Sequence, residues 1–228
     1  MGTRYFSPQL FAFLRNLAEN NDREWFKGHQ GDYEQYIREP ALDFINDFAA
    51  RLAKLSPHFV ADSRTVGGSL FRIQRDTRFS KDKTPYKLNT GMHFRHERAK
   101  DVHAPGFYLN IEPGACYMGA GLWQPETKAA YAIRAAIAED PSGWKKASQG
   151  KRFTEIYTLE GDSLRRPPKG YDADHPLIDD LKRKDFIAST SLKQSEITSD
   201  RFMDDFTHHC RRAVPFVRFL TAAVGLEF

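Results

Sequence analysis

Apolar residues recur at helical spacing at the start of the chain. Leu10, Phe13, Leu14 and Leu17 mark one face, and Ser7-Pro8 supplies an N-cap followed by proline in the first turn. Asn21 or Asp22 restarts a short helix carrying Trp25 and Phe26, weakened by Gly28 and Gly31. Pro40 opens a third helix, with Ile45, Phe48, Ala49 and Leu52 on one stripe. From Gly67 the period drops to two. Phe71 and Ile73 alternate with Arg72 and Gln74. Leu88, Thr90, Met92 and Phe94 alternate with Asn89, Gly91, His93 and Arg95, and Phe107, Leu109 and Ile111 alternate with Tyr108, Asn110 and Glu112. A fourth run, Ala115 to Leu122, follows the Pro113-Gly114 turn signal and predicts a hairpin.

Helical spacing returns after Pro125, with Ala129, Ile133, Ala136 and Ile137 inward, and again around Trp144. Arg165 to Tyr171 reads as a loop and Phe186 to Leu192 as a strand. Ser199 caps a long last helix carrying Phe202, Met203, Phe206 and Cys210, which Pro215 should kink or break. Helices, then strands, then helices predict an α+β fold. The expected architecture is a mainly antiparallel sheet of at least four strands against N-terminal and C-terminal helices. It forms a single domain over 1–228: helical 1–55, a sheet core at 67–122, and helices with one or two further strands at 125–228. Phe71, Ile73, Phe107, Leu109 and Ile111 should line the core, and the clean alternation predicts a sheet covered on one face only.

Composition supports a packed core. The 228 residues are 40% hydrophobic and include eighteen Phe, nine Tyr and three Trp, while the net charge is only +4, which excludes a disordered chain. Two cysteines, Cys116 and Cys210, form no metal-like pair and predict a reducing compartment. The chain shows no basic-then-apolar leader, and Phe6 stands where a myristoylation signal needs Ser or Thr. The most apolar stretch, Ala213 to Leu226, is interrupted by Pro215 and Arg218 and is too short to span a bilayer. A cytoplasmic protein with no membrane partner is expected.

Few catalytic motifs are present. There is no phosphate loop, nucleophile elbow or zinc-protease helix, and Gly119-Ala-Gly121 lacks the third glycine of a dinucleotide turn. No cofactor is implied. His93, His96, Glu97, Asp101 and His103 crowd one stretch and are chemically suited to a metal, but a solvated loop between strands is the more ordinary reading, and no metal is assigned. The segment Arg72 to Lys87 stands apart. It has six basic and two acidic residues, a net +4 equal to the excess of the whole chain. Other basic pairs, such as Lys145-Lys146 and Arg211-Arg212, are diluted by acids and do not make a nucleic-acid stripe.

Within that segment, Arg72, Arg75, Asp76, Arg78, Phe79, Asp82, Lys83 and Tyr86 fill the pattern Arg-x-x-Arg-Asp-x-Arg-Phe-x-x-Asp/Asn-Lys-x-x-Tyr. In this the chain resembles a bacterial family of conserved hypothetical proteins, Domain of Unknown Function 2461. The stretches Asp101 to Pro113 and Gly119 to Pro125 also look like family segments, so the resemblance spans nearly the whole chain. The family carries no established activity, so the resemblance implies a motif without roles.

The residues themselves leave three readings. Arginine presents a planar fork suited to carboxylate or phosphate. Arg72, Arg75 and Arg78 with Lys83 and Tyr86 could therefore ring a small anionic ligand on the open sheet face, with Asp76 and Asp82 orienting the guanidinium groups. Tyr108, Asn110, Glu112, His93 and Trp123 would wall the site. If it is catalytic, Glu112 or His93 would carry the proton and Tyr86 or Tyr108 would stabilise. The second reading is a nucleic-acid-associated protein, disfavoured by the diluted charge. The third is a non-catalytic interaction module whose signature only holds the fold. Oligomeric state is not legible.

Overall fold

The structure is a computed structural model and describes residues 2–99 and 103–228. Six strands form one antiparallel sheet in the order β1-β2-β3-β4-β6-β5. They are β1 (Phe59–Val60), β2 (Thr90–His96), β3 (Gly106–Ile111), β4 (Tyr117–Leu122), β5 (Thr158–Glu160) and β6 (Phe186–Ser191). Helices precede and follow the strands, so the fold is α+β as expected. The Pro113-Gly114 turn closes the β3–β4 hairpin: Gly114 takes a φ of +81°, and Ala115 N–H donates to Glu112 O at 3.1 Å.

Register explains the core. Met92, Leu109 and Met118 face one another across β2, β3 and β4, as do Phe94, Phe107 and Ala120. All six point to the inner face and are buried. The helix α10 (Phe202–Ala223) lies under this face, and Phe206 packs on Phe44 and Phe48 of α4 (Glu39–Ala53) and on Phe94, with ring centroids 5.0–5.7 Å apart. Around it pack α1 (Pro8–Glu19), α5 (Thr127–Glu139) and α6 (Pro141–Gln149), with Trp144 of α6 against Phe216. Among the described residues no helix is long and apolar enough to cross a membrane.

Several elements differ from expectation. Pro40 lies in the first turn of α4, as expected, but the helical chain does not begin there. The helical chain already runs from Gln30, and a π turn at Glu34–Arg38 precedes Pro40. Glu39 N–H reaches back five residues to Glu34 O. A widened turn accommodates a proline ring that an ordinary helix interior would reject. Pro215 likewise sits inside α10 without ending it. That helix starts at Phe202 rather than at a Ser199 cap, because the Ser199 hydroxyl accepts from Arg201 N–H in a local turn. The edge strand β1 had no alternating run to announce it.

Ser69–Gln74 is not a regular strand. It touches β2 only through a bridge at Leu70–Met92 and continues into a hairpin bridged at Gln74–Tyr86. The irregular backbone sends Phe71 and Ile73 to different places. Ile73 is in the core, whereas Phe71 turns onto the outer face, its ring 5.8 Å from that of Tyr108. Leu88 precedes β2 and is exposed. The outer face is therefore partly covered: the Phe71 ring lies 6.3 Å from that of His93, Asn89 donates to Asn110, and both His93 and Asn110 are buried.

Leu109 is fully buried at the centre of the sheet. Leu109→Ala should cost about 2–5 kcal/mol in denaturant unfolding. A loss below about 0.5 kcal/mol, the level of an ordinary surface change, would contradict this packing.

Candidate functional site

The basic segment folds into a hairpin. Arg75 N–H donates to Pro85 O and Lys87 N–H to Ile73 O, each at 2.8 Å. Its base is anchored by Tyr86, whose ring stacks on Phe26 with centroids 4.1 Å apart. Asn21 grips the Tyr86 backbone on both sides, accepting from its N–H at 3.1 Å and donating to its carbonyl at 3.0 Å. Towards the tip, Arg75 donates to Asp82 at 2.5 Å and to the Thr84 hydroxyl. Arg78 donates to both oxygens of Asp76, at 2.7 and 3.0 Å. Lys83 Nζ donates to Thr77 O at 2.8 Å, and the Phe79 ring stands 96% exposed.

These contacts do not make the single ring of cations around one anion that the spacing suggested. Asp76 stands two residues before Arg78 and takes both its backbone N–H and its guanidinium, a local turn that forms before any distant partner is needed. Asp82 likewise takes Thr84 N–H and Arg75. The Arg78 side chain, then its backbone N–H, hold the Asp76 carboxyl down to about 2. The Thr84 backbone N–H, then Arg75, do the same for Asp82. Arg72 contributes its carbonyl, which accepts from Lys87 Nζ at 2.9 Å.

A cavity of about 490 Å³ lies beside the hairpin, on the outer face of the sheet. Its walls include Phe71, Tyr108, Tyr117 and Trp123. Register sets the floor: His93, Tyr108, Gly119 and Ser189 lie side by side across β2, β3, β4 and β6. The two rings lie low because glycines sit beneath them. A Cβ on Gly106 would stand 2.4 Å from His93 Nε2, and one on Gly91 would stand 2.5 Å from the Tyr108 hydroxyl. Gly119 leaves open space, since a Cβ there meets nothing nearer than 3.7 Å. Among the described residues two charged ones line the cavity, Lys87 from the hairpin and Glu160 from β5. The Ser189 hydroxyl donates to Glu160 Oε1 at 2.7 Å.

Of the residues expected to act on a ligand, His93, Tyr108 and Trp123 line this cavity. Arg72, Arg75, Asp76, Arg78, Asp82, Lys83, Tyr86, Asn110 and Glu112 do not. Arg75, Asp82 and Tyr86 instead border a shallower cleft at the hairpin base, which shares Lys87. Asn110 is buried under Asn89, whose Nδ2 donates to its Oδ1 at 2.5 Å. The histidine crowd is dispersed. His96 Nε2 is 2.9 Å from Glu227 O, Glu97 pairs with His58, and the His103 ring stacks on Trp123. Asp101 lies outside the described residues, among which no group of three or more His, Cys, Asp or Glu could hold a metal. Sequence reasoning passed over Phe71, Lys87, Tyr117, Glu160 and Ser189 as cavity residues. The available signal was a set of glycines, 91, 106, 119 and 121, clustered on strands otherwise rich in large side chains.

The floor groups are tuned by burial. Desolvation, with the Arg95 charge second, pushes His93 down to about 3, so the imidazole is neutral at physiological pH; its Nδ1 is buried with no hydrogen-bond partner. Desolvation, with the neighbouring acidic groups of Tyr117 and Glu112 behind it, raises the Tyr108 hydroxyl well above its ordinary value.

The fold and this cavity define an α+β protein with a lined recess on the outer face of an antiparallel sheet. The chain belongs to the conserved hypothetical protein family DUF2461, whose model matches residues 9–219. No curated protein and no solved structure matches the chain.

A histidine depressed from 6.5 to about 3 must take up a proton when the chain unfolds anywhere between those values. The unfolded state binds more protons there, so His93 withdraws stability as pH falls from 6.5 toward 3 and has no such effect above that range. An NMR titration of the His93 ring should show it neutral down to about pH 4. A midpoint near the ordinary histidine value would contradict the buried, uncharged floor.

Proposed function

We propose that the protein binds a small organic anion in the outer-face cavity, with its apolar body among Phe71, Tyr108 and Trp123 and its carboxylate or phosphate at Lys87. One observation carries this reading. Lys87 lines the cavity half-buried, and its Nζ has the Arg72 carbonyl as hydrogen-bond partner but no carboxylate within ion-pair distance among the described residues. Desolvation, with the Arg72 charge second, lowers its pKa, and its Nζ lies 5.5 Å from the centroid of the Phe71 ring. An entering anion would supply a counter-charge through a charge-assisted hydrogen bond. Concave, mainly apolar walls with a few polar groups are the usual form of a small-molecule site.

The chemistry of the floor supports binding ahead of acid–base turnover. An imidazole with a pKa near 3 is too weak a base at neutral pH, and the raised Tyr108 hydroxyl is a weak acid. Glu112 lies outside the cavity lining. The ion pairs Arg75–Asp82 and Arg78–Asp76 favour a structural reading of the signature itself: it shapes the hairpin that brings Phe71 and Lys87 to the cavity.

A suitable probe is 4-ethylbenzoate, titrated while following tryptophan fluorescence, since Trp123 stands at the cavity wall. Lys87→Met should weaken its binding by at least about tenfold, because a hydrogen bond to a charged group is worth about 1.5–3 kcal/mol. Thermal stability should be nearly unchanged. Equal affinity in the two proteins would contradict the assignment.

A further inference from the structure

The cavity holds a second unneutralised charge. Glu160 occupies the row that runs through Gly106, Gly121 and Ile187, which is the outer face. The Ser189 hydroxyl orders its carboxylate, but no Lys, Arg or His lies within ion-pair distance of it among the described residues. The nearby Arg183 reaches the Glu160 backbone carbonyl instead, and its side chain pairs with Asp180. Lys87 and Glu160 thus line one recess without meeting each other. Lys87 lies over Phe71 near the β2 end of the sheet, and Glu160 stands on β5 at the other edge. Between them the floor is aromatic or bare, formed by Tyr108 and Gly119.

We infer that the ligand is a zwitterion, with an acid at one end, an ammonium group at the other and a ring-sized apolar body between. This rests on the cavity reading above and adds to it the group that Glu160 recognises. A carboxylate already fixed by one hydroxyl is oriented to accept from an ammonium, and such charge-assisted bonds are short and directional. The two charges act from opposite sides of the floor. A ligand whose amine and acid sit on one carbon would satisfy only one of them. Strands lie about 4.8 Å apart, and the floor from Tyr108 on β3 to Ser189 on β6 crosses two such spacings, about 10 Å, so bridging it requires a ring that carries its two charges at opposite ends. Short peptides and amino acids with separated charges have this form.

Two probes of equal shape test the inference. In 4-(aminomethyl)benzoate an ammonium replaces the terminal methyl group of 4-ethylbenzoate. Calorimetric titration of the intact protein should show the amino compound binding at least about tenfold more tightly, in keeping with a charge-assisted contact. In Glu160→Gln, which keeps an acceptor for Ser189, the affinity ratio should fall to near one. A ratio near one in the wild type, or a preference that survives Glu160→Gln, overturns the zwitterion while leaving the anion site standing. Failure of both compounds to bind overturns the anion site together with it.

Discussion

The outer face of the sheet depends on close approach of side chains to glycine backbone. His93 lies against Gly106 and Tyr108 against Gly91, each at a distance a Cβ would forbid. Both rings are therefore held low, and the space above Gly119 stays open. In most antiparallel sheets with helices on one side, the other face carries polar side chains into water. Here its centre carries two flattened rings and the bare backbone of Gly119. Burial of His93 as a neutral ring follows from the same packing, because a charged imidazole could not be desolvated so fully.

The basic hairpin completes the cavity from the side. Its charges first satisfy one another, Arg78 with Asp76 in a two-residue turn and Arg75 with Asp82 across the hairpin, and Tyr86 with Asn21 fastens its base to the N-terminal helices. These exposed ion pairs add little to stability individually. Their consequence is geometric: they fix the path of the chain between Phe71 and Lys87, the two hairpin residues that reach the cavity.

Much of the fold was legible because it follows from periodicity. The alternation of Met92, Phe94, Phe107 and Leu109 identified the buried face, and Pro113-Gly114 identified a hairpin. Membership of the family was legible from the signature. Other features were not, for identifiable reasons. Pro40 marks the first turn of α4, but the sequence does not reveal that a π turn joins that helix to the residues before it. Phe71 looks like core because alternation presumes a regular strand, and the bridge at Leu70–Met92 is followed by irregular backbone. The cavity depends on cross-strand register, which sets Gly119 beside Tyr108 and Ser189 although 70 residues separate Gly119 from Ser189 in the chain. The dense arginines drew the ligand site onto the hairpin. Asp76 and Asp82, within the same short segment, were the sign that the arginines would pair locally.

The ligand site proposed above is the open space over Gly119. Gly119→Leu tests this directly, because a Cβ there meets nothing nearer than 3.7 Å and the side chain beyond it would occupy the cavity. The variant should keep its thermal unfolding temperature and lose measurable 4-ethylbenzoate binding in calorimetric titration. A folded Gly119→Leu protein that binds this probe as tightly as the wild type would contradict the account.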